Sequence, residues 1–353
     1  MGQDTVTKKR RNFSISQYSF ILIFVVLFIV YYVVSAGQLK WTGVTNILRH
    51  SAVVGVISLG MGLVIITGEI DLSVGAILGC VASFGCVVFN VMSSAGLSVG
   101  MIFILTILYC LIAGTILGFI NGALIGKVGL PAFIVTLATQ LIYRSASQYA
   151  SRMLPRELTG EATNNYAMVR EAGAYQPMYD FGNSKIPGIE IPTVGLIFLI
   201  IAVILVYVST STKYGKRLYA IGSNAKAAHM AGVNVEWVKV SVFTLTGFLC
   251  GVSAALWLCM QGKVDPATTG LTNEMFAIAA VVLGGIAMSG GKGQLVGVIF
   301  GALSYTVIDK IITALNVDSL INNSIKGAIL LITIVIQALG PKITEARKAK
   351  EKK

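Results

Sequence analysis

Charged residues are the scarcest class in this 353-residue chain, since Asp, Glu, Lys and Arg together make up 12% of it. Apolar residues account for 55%, and the mean hydropathy is +0.81. Soluble globular domains carry about 25% charged residues, because their surfaces must be solvated by water. The composition therefore excludes a soluble domain and predicts a polytopic membrane protein.

Cysteine and histidine are too few and too scattered for metal or disulfide chemistry. The five cysteines lie in apolar runs without the paired spacing of a zinc site or a disulfide framework: Cys80, Cys86, Cys110, Cys250 and Cys259. The two histidines, at positions 50 and 229, have no neighbouring partner ligand. We expect no metal site and no cofactor bound by this chain.

A nucleotide-binding loop is also absent from the sequence. The nearest match is the glycine-rich stretch GGIAMSGGKGQ at 284–294, which contains Gly291 followed by Lys292. A phosphate-binding loop needs a glycine five positions before Gly291, where Ile286 stands, and Ser or Thr where Gly293 stands. We therefore predict a turn between two membrane spans here, and a chain that does not hydrolyse ATP and is no enzyme.

Apolar runs long enough to cross the hydrocarbon core recur along most of the chain. They predict an all-α protein with about ten transmembrane helices. The first run is longer than a signal-peptide core and lacks a cleavage pattern, so we expect it to be retained. The predicted spans are 18–34, 51–67, 72–91, 99–120, 133–149, 194–209, 240–260, 275–289, 295–315 and 325–339.

The distribution of charge predicts the orientation of these spans. Four basic residues at positions 8–11 precede the first span, which places the N-terminus in the cytoplasm, and ten crossings return the C-terminus to that side. This topology puts 17 of the 27 basic and 6 of the 15 acidic residues inside, so the cytoplasmic side carries +11 of the net charge of +12. Membrane orientation thus explains the basic composition, and no nucleic-acid partner is needed.

The same topology divides the chain into three parts. Residues 1–17 form a basic cytoplasmic N-terminal tail, 18–339 the transmembrane domain, and 340–353 a basic cytoplasmic C-terminal tail. Within the transmembrane domain, 150–192 is predicted to be an extracellular loop and 210–239 a basic cytoplasmic loop. The latter is a polar segment between two long apolar runs.

Four segments of the sequence resemble those of a known family and stand in the same order. They are GLVIITGEIDLSVGAILG at 62–79, NGALIGKVGLPAFIVTLAT at 121–139, YGKRLYAIGSNAKAAHMAGVNVEWVK at 214–239 and FAIAAVVLGGIAMSGGKGQLVGVIFGAL at 276–303. Together they resemble the permeases of ribose/xylose/galactose-type ABC importers along the whole chain. Four motifs spread over the transmembrane region are more specific than any one glycine-rich fragment.

The resemblance implies partners that this chain lacks. They are a second permease copy or paralogue in a two-fold dimer, an ABC ATPase subunit that holds ATP and Mg²⁺ on the cytoplasmic face, an extracytoplasmic sugar-binding protein, and the lipid of a bacterial inner or plasma membrane. The substrate implied is a pentose or hexose, with nucleosides or furanosyl signal molecules as the nearest alternative.

The basic loop 210–239 is predicted to dock the ATPase. Its chemistry favours a short helix from 224 to 231, because Asn224 can cap the N-terminus and Gly232 can end it. Small side chains would let this helix approach a partner closely, and Lys226 could meet acidic groups. An ordinary solvated basic loop is the alternative from the residues alone. The candidate coupling residues are Gly222, Asn224, Ala225, Lys226, Ala228, Ala231 and Gly232.

A second informative segment inserts Glu69 and Asp71 between two apolar runs, with Ser73 close behind. In one interpretation it is a tight cytoplasmic turn with solvated acids, in which Asp71 or Ser73 caps the next helix. In the other it is a break within the bundle, and its freed backbone groups line the translocation path. We favour a structural or gating role near the path over direct contact with substrate, because carboxylates within a membrane are costly.

Other polar side chains in or near the spans are further candidates for the path. Asn and Gln both donate and accept hydrogen bonds, which suits a hydroxyl-rich neutral substrate, but the same groups commonly join neighbouring helices. These candidates are Asn121, Thr136, Gln140, Asn273 and Glu274.

Two other classes of function remain open at this point. An ion- or proton-coupled secondary carrier would use Glu69 and Asp71 as coupling acids, and a membrane scaffold would transport nothing. Segment 150–192 departs from the family pattern by its length and mixed charge. It can contact a delivery protein, or it can be a solvated insertion.

Overall fold

The computed structural model describes residues 19–35, 40–160, 167–318, 321, 324–329, 331–332 and 335. Nearly all of its regular structure is helical. The helices are α1 Ser19–Val34, α2 Trp41–Ile66, α3 Val74–Ser94, α4 Val99–Gly126, α5 Ala132–Met153, α6 Arg156–Thr159, α7 Ala172–Asn183, α8 Thr193–Ser211, α9 Lys213–Ser223, α10 Ala225–Met230, α11 Val235–Gln261, α12 Asn273–Leu283 and α13 Leu295–Ala314. Two short strands, β1 Ala167–Met168 and β2 Lys263–Val264, pair antiparallel.

The helices confirm the all-helical membrane class, with the small β pair as its one departure among the described residues. Six of them, α2, α3, α4, α8, α11 and α13, are long and apolar enough to cross a membrane, and α1 and α12 are shorter apolar helices. Helix α5 has 22 residues but is less apolar than these. Nine of the ten predicted spans thus contain a helix. The tenth, 325–339, is only partly covered by the described residues, and the tails 1–17 and 340–353 lie outside them.

Helices α2, α3 and α11 form the buried centre of the bundle, and α4 packs along α11. The approach of α4 to α11 is close because both carry a GxxxG pattern. A Cβ at Gly114 would lie 2.7 Å from Gly251 Cα, and one at Gly118 would lie 2.7 Å from Gly247 Cα. Small residues at this spacing let the backbones of two membrane helices come into contact. Close packing then stabilises the pair through dispersion, because lipid is as apolar as the side chains and the hydrophobic effect does not drive helices together.

The predicted loop 150–192 is partly helical and is anchored to the bundle. The Tyr175 hydroxyl on α7 donates to the carbonyl oxygens of Leu258 (2.8 Å) and Cys259 (3.1 Å) at the end of α11. In addition, a Cβ at Gly182 would overlap Cys259 O. Helix α7 therefore lies against the membrane helices, and a freely solvated insertion does not describe this part of the segment.

Candidate coupling and translocation site

The polar segment between α8 and α11 is built from two short helices, each started by its own side-chain cap. Thr212 Oγ1 accepts a hydrogen bond from Gly215 N at 3.2 Å and begins α9. Asn224 Oδ1 accepts from Ala227 N at 2.9 Å and begins α10, as its residue type predicts. Helix α10 ends at Met230, and Gly232 follows with a φ of +84°. Sequence reasoning expected one helix here and missed α9.

Gly222, the first of the candidate coupling residues, lies before α10, in the last turn of α9. Its missing side chain serves a close contact. A Cβ on Gly222 would overlap Ile66 O at the end of α2 and would lie 2.5 Å from Gly291 N.

The exposure of the residues in and after α10 differs from the predicted docking surface in one respect. Ala228 is 5% exposed and packs against its own chain, so it cannot meet a partner. Ala225 and Ala231 are exposed, as are Lys226 and His229, and Met230 is 75% exposed. The small residues at 225, 228 and 231 therefore do not form one outward stripe. The larger side chains on the outward surface of α10 are Lys226, His229 and Met230.

Three pieces of backbone that each contain glycine meet at the end of α9. We call them the glycine junction: residues 66–68, 222–223 and 289–293. Gly291 N donates to Ile66 O at 2.9 Å, and the Tyr219 hydroxyl on α9 donates to Gly293 O at 3.0 Å. The turn that imitates a phosphate-binding loop is thus a structural part of this junction. It ties α9 to the end of α2 and to the connection between α12 and α13.

The segment between α2 and α3 places its two acids in different environments. Asp71 is fully buried, and its Oδ1 accepts hydrogen bonds from Ser73 N (2.8 Å) and Ser73 Oγ (2.6 Å). Its Oδ2 has no hydrogen-bond partner among the described residues. The interpretation as a turn with solvated acids therefore fails for Asp71. Glu69 is partly exposed and forms an ion pair with Lys239 of α11.

A chain of hydrogen bonds extends from Asp71 across three helices. Asn121 Nδ2 of α4 donates to Ser73 Oγ at 2.8 Å, and the Tyr143 hydroxyl of α5 donates to Asn121 Oδ1 at 3.3 Å. Asn121 is completely buried. We call Asp71, Ser73, Asn121 and Tyr143 the buried polar network. It joins the start of α3 to α4 and α5, where an unpaired polar group would be costly.

Thr136 and Gln140 lie on α5 near this network but are not members of it. The Thr136 hydroxyl is buried and donates to Ala132 O of its own helix at 2.8 Å, as membrane threonines commonly do. Gln140 is half-buried.

The segment 67–73 between α2 and α3 is the first break in the helical bundle, and a second break lies between α11 and α12. Near the far end of α3, Asn90 Nδ2 donates to Met168 O of β1 (2.7 Å), and β1 pairs with β2. Only six residues after β2, the carbonyl of Gly270 lies against Gly75 in the first turn of α3. Asn90 and Gly75 are separated by about 22 Å along α3 at 1.5 Å per residue. Residues 265–272 therefore turn back into the bundle.

Helix α12 begins where this re-entrant segment ends. It has 11 residues and is about 16 Å long, roughly half the thickness of the hydrocarbon core. The predicted span 275–289 is thus wrong in its bounds, because α12 ends at Leu283 and the glycines that follow leave the helix. Irregular backbone at this depth occurs where protein or a water-filled cavity surrounds it.

Arg144 of α5 holds the re-entrant segment in place. Its Nη1 donates to Ala267 O (2.8 Å) and Thr269 O (3.2 Å). Its Nε and Nη2 are buried without partners among the described residues, as is Oε2 of Glu274. Glu274 lies in the first turn of α12 and is 7% exposed, whereas its neighbour Asn273 is half-buried. Gly75 makes room for this carboxylate, because a Cβ there would lie 2.7 Å from Oε2.

The structure thus gathers part of the predicted path and adds residues that sequence reasoning missed. Asp71, Ser73 and Asn121 are brought together, while Glu274 lies beside the start of α3. Tyr143, Arg144 and Lys239 were missed. Arg144 is the one charged residue in the predicted span 133–149, a signal that could have found it. Among the described residues, no cluster of His, Cys, Asp or Glu could hold a metal ion.

The fold and site together define a multi-pass helical membrane protein with two breaks inside its bundle. The chain belongs to the family described as branched-chain amino acid transport system / permease component, which matches residues 43–337. This match confirms the predictions of a permease that is no enzyme and of a multi-pass membrane location.

Several curated proteins are similar over most of their length. The ribose import permease protein of Bacillus subtilis is 34% identical over 318 residues, which is 88% of this chain and 89% of that protein. The fructose import permease protein of Rhizobium meliloti is 31% identical, covering 83% of this chain and 76% of that protein. The xylose transport system permease protein of Escherichia coli is 28% identical, covering 84% and 85%. No solved structure matches the chain.

Proposed function

We propose that this chain is the permease subunit of an ABC importer that translocates a monosaccharide, a pentose or a hexose. The relatives that carry the comparison are sugar permeases by name, and each is similar to this chain over most of its length. An extracytoplasmic binding protein delivers the sugar, and a separate ATPase subunit binds ATP and drives transport. A second permease copy or paralogue completes the path.

The observation that carries this proposal is that α10 follows α9 directly, and that the end of α9 belongs to the glycine junction. The exposed surface of α10 is available to a partner, while the preceding helix α9 touches the end of α2 through Gly222 and Ile66. The first residues beyond α2 lead directly to Asp71. A movement imposed on α10 from the cytoplasmic side therefore reaches the first break through backbone contacts, without flexible side chains between them.

The second break receives the same movement by another route. The Gly291 amide is hydrogen-bonded to Ile66 O, and the chain from Gly291 leads back to α12 and on to α13. Nucleotide binding and hydrolysis on the ATPase would favour different positions of α10, and the two breaks would exchange between inward-open and outward-open arrangements. On the opposite side, α7 and its neighbours would face the binding protein.

Uptake by the reconstituted importer tests the transport proposal. The chain is placed in proteoliposomes with the ATPase and binding protein that copurify with it, and radiolabelled D-ribose, D-xylose and D-fructose are offered separately. We expect at least one sugar to accumulate only when ATP is present on the ATPase side, and to accumulate equally after a protonophore collapses the proton gradient. Uptake that needs no ATPase and disappears with the protonophore would instead establish a secondary carrier.

The docking surface on α10 gives a separate prediction. Met230→Glu should weaken binding of the ATPase about tenfold, because it introduces a charge at an exposed apolar position expected in the interface. The change should leave the thermal stability of the permease unchanged, since Met230 makes little contact with its own chain. Binding is measured by titrating purified ATPase onto the permease in nanodiscs.

Met153→Glu is the matched control for this experiment. Met153 is 60% exposed at the far end of α5, about 30 Å along the helix from Ala132 at the near end. It should bind the ATPase as the unmodified chain does. Equal ATPase binding by both variants and the unmodified chain would exclude α10 as the docking helix.

A further inference from the structure

A pocket opens beside the second break, on the side of α12 that faces away from Glu274. It is a partly open cavity of about 120 Å³ between α12, α13 and the segment around Lys326. The lining includes Thr272 at the end of the re-entrant segment, Phe276 of α12 and Tyr305 of α13. Most of this lining is apolar or aromatic, and its polar side chains are Thr272, Tyr305 and Lys326. Small-molecule sites commonly have this composition.

Two aromatic rings form the floor of the pocket. The ring centroids of Phe276 and Tyr305 are 4.8 Å apart with an angle of 32° between the planes. The Nζ atom of Lys326 lies over both, 5.2 Å from the Phe276 centroid and 5.6 Å from that of Tyr305. The pocket therefore combines an aromatic surface with the hydrogen-bond donors of an ammonium group that lies over it.

The charge of Lys326 is already balanced. Its side chain is 11% exposed, and Nζ lies 2.6 Å from Asp309 Oδ1. An ammonium group has three donors, so this ion pair leaves others for a second acceptor. An anionic ligand would gain little from this ion pair, because its net charge is zero. The pocket therefore favours an uncharged ligand that carries hydrogen-bonding groups.

The hydroxyl of Tyr305 also indicates a ligand with hydrogen-bonding groups. Tyr305 is 8% exposed, and its oxygen has no hydrogen-bond partner among the described residues. A buried hydroxyl without a partner destabilises the protein that holds it. A lipid tail cannot satisfy it, because a hydrocarbon chain has no donor or acceptor. A ligand hydroxyl can satisfy both Tyr305 and the free donors of Lys326.

We propose that this pocket is a monosaccharide-binding station on the translocation path. The sugar would contact the aromatic side chains of Phe276 and Tyr305, and its hydroxyls would pair with the Tyr305 hydroxyl and the Lys326 ammonium. The inference rests on the proposed function. It adds a binding site in the permease itself, separate from the binding protein, next to the start of the half-length helix α12.

Direct binding to the full purified permease tests this site without any transport partner. Saturation-transfer difference NMR is recorded on the chain in nanodiscs with D-ribose, D-xylose and D-fructose in turn. At least one sugar should receive saturation from the unmodified chain. Tyr305→Phe, which keeps the ring and removes one hydrogen bond, should weaken its affinity about fivefold. Phe276→Leu should weaken it about tenfold through loss of the aromatic surface.

Phe119→Leu serves as the control, because Phe119 is an exposed aromatic residue of α4 that lines a different groove. It should bind sugar as the unmodified chain does. Absence of saturation transfer from the unmodified chain, as expected if a lipid tail fills the pocket, would overturn the inference. So would unchanged binding in both Tyr305→Phe and Phe276→Leu, or an equal loss in Phe119→Leu. Thermal unfolding of each variant verifies that it is folded.

The uptake assay separates this inference from the function on which it rests. If the reconstituted importer transports a sugar while the two pocket variants bind and transport it normally, the pocket assignment is wrong and the transport function stands. If the pocket variants lose sugar binding but the unmodified importer accumulates no sugar with ATP, the binding site stands and the proposed transport function is wrong.

Discussion

Replacing Gly222 by Ala is expected to reduce coupled uptake by about tenfold or more, because overpacking at this point costs about 1–3 kcal/mol. The new methyl group would overlap the carbonyl oxygen of Ile66 and crowd Gly291 N. Both neighbours are backbone, so no side chain can turn aside. The end of α9 must move away from α2, which breaks the contact through which movement of α10 would reach the first break.

The decisive measurement compares sugar uptake with ATP hydrolysis in the same proteoliposomes. In the Gly222→Ala variant, the ATPase should remain bound and continue to hydrolyse ATP while sugar uptake falls. Gly100→Ala is the matched control, because nothing lies within 4 Å of a Cβ built at Gly100, and this variant should behave as the unmodified chain. Full uptake in Gly222→Ala would show that the glycine junction does not transmit the movement.

Replacing Asp71 by Ala should produce the largest loss of stability among the buried positions considered. Ser73 N and Ser73 Oγ both donate to Asp71 Oδ1, and both would lose their acceptor in a buried site. Each unpaired buried group costs about 1–3 kcal/mol, so for the two groups we expect a loss of about 2–6 kcal/mol and little uptake. Asp71→Asn keeps an acceptor oxygen and should retain more stability.

Thermal unfolding of the purified permease measures this loss, and Glu69→Gln provides the comparison. Glu69 is a neighbouring carboxylate in the same segment, but its ion pair with Lys239 is partly exposed. Its neutralisation should cost only about 1 kcal/mol or less. Equal stability of Asp71→Ala and Glu69→Gln would contradict the structural role assigned to the buried polar network.

Gly222 and Asp71 lie between the proposed ATPase-docking helix and the proposed translocation path. Gly222 is the contact between the α9–α10 segment and the end of α2, and Asp71 begins the hydrogen-bonded network that holds α3 to α4 and α5. A variant of Gly222 should therefore separate ATP hydrolysis from uptake in a folded protein. A variant of Asp71 should affect the bundle itself.

The membrane class and most of the helices could be predicted from the sequence, because both depend on local composition. A run of about 20 apolar residues crosses the hydrocarbon core as a helix whatever its neighbours are. The helix started by Asn224 was predictable for the same reason, since a side-chain cap acts within three residues. The four motifs also carried the family resemblance, which the match over residues 43–337 bears out.

Only the tertiary structure decided how the breaks and the coupling segment are arranged. Asp71 and Glu69 are two residues apart, yet one is enclosed by α3 and its neighbours and the other reaches Lys239 of α11. The inward direction of Ala228, the role of Gly222 and the return of residues 265–272 into the bundle likewise depend on segments distant in sequence. Burial and close backbone contact are properties of the assembled helices, and local patterns of polarity do not contain them.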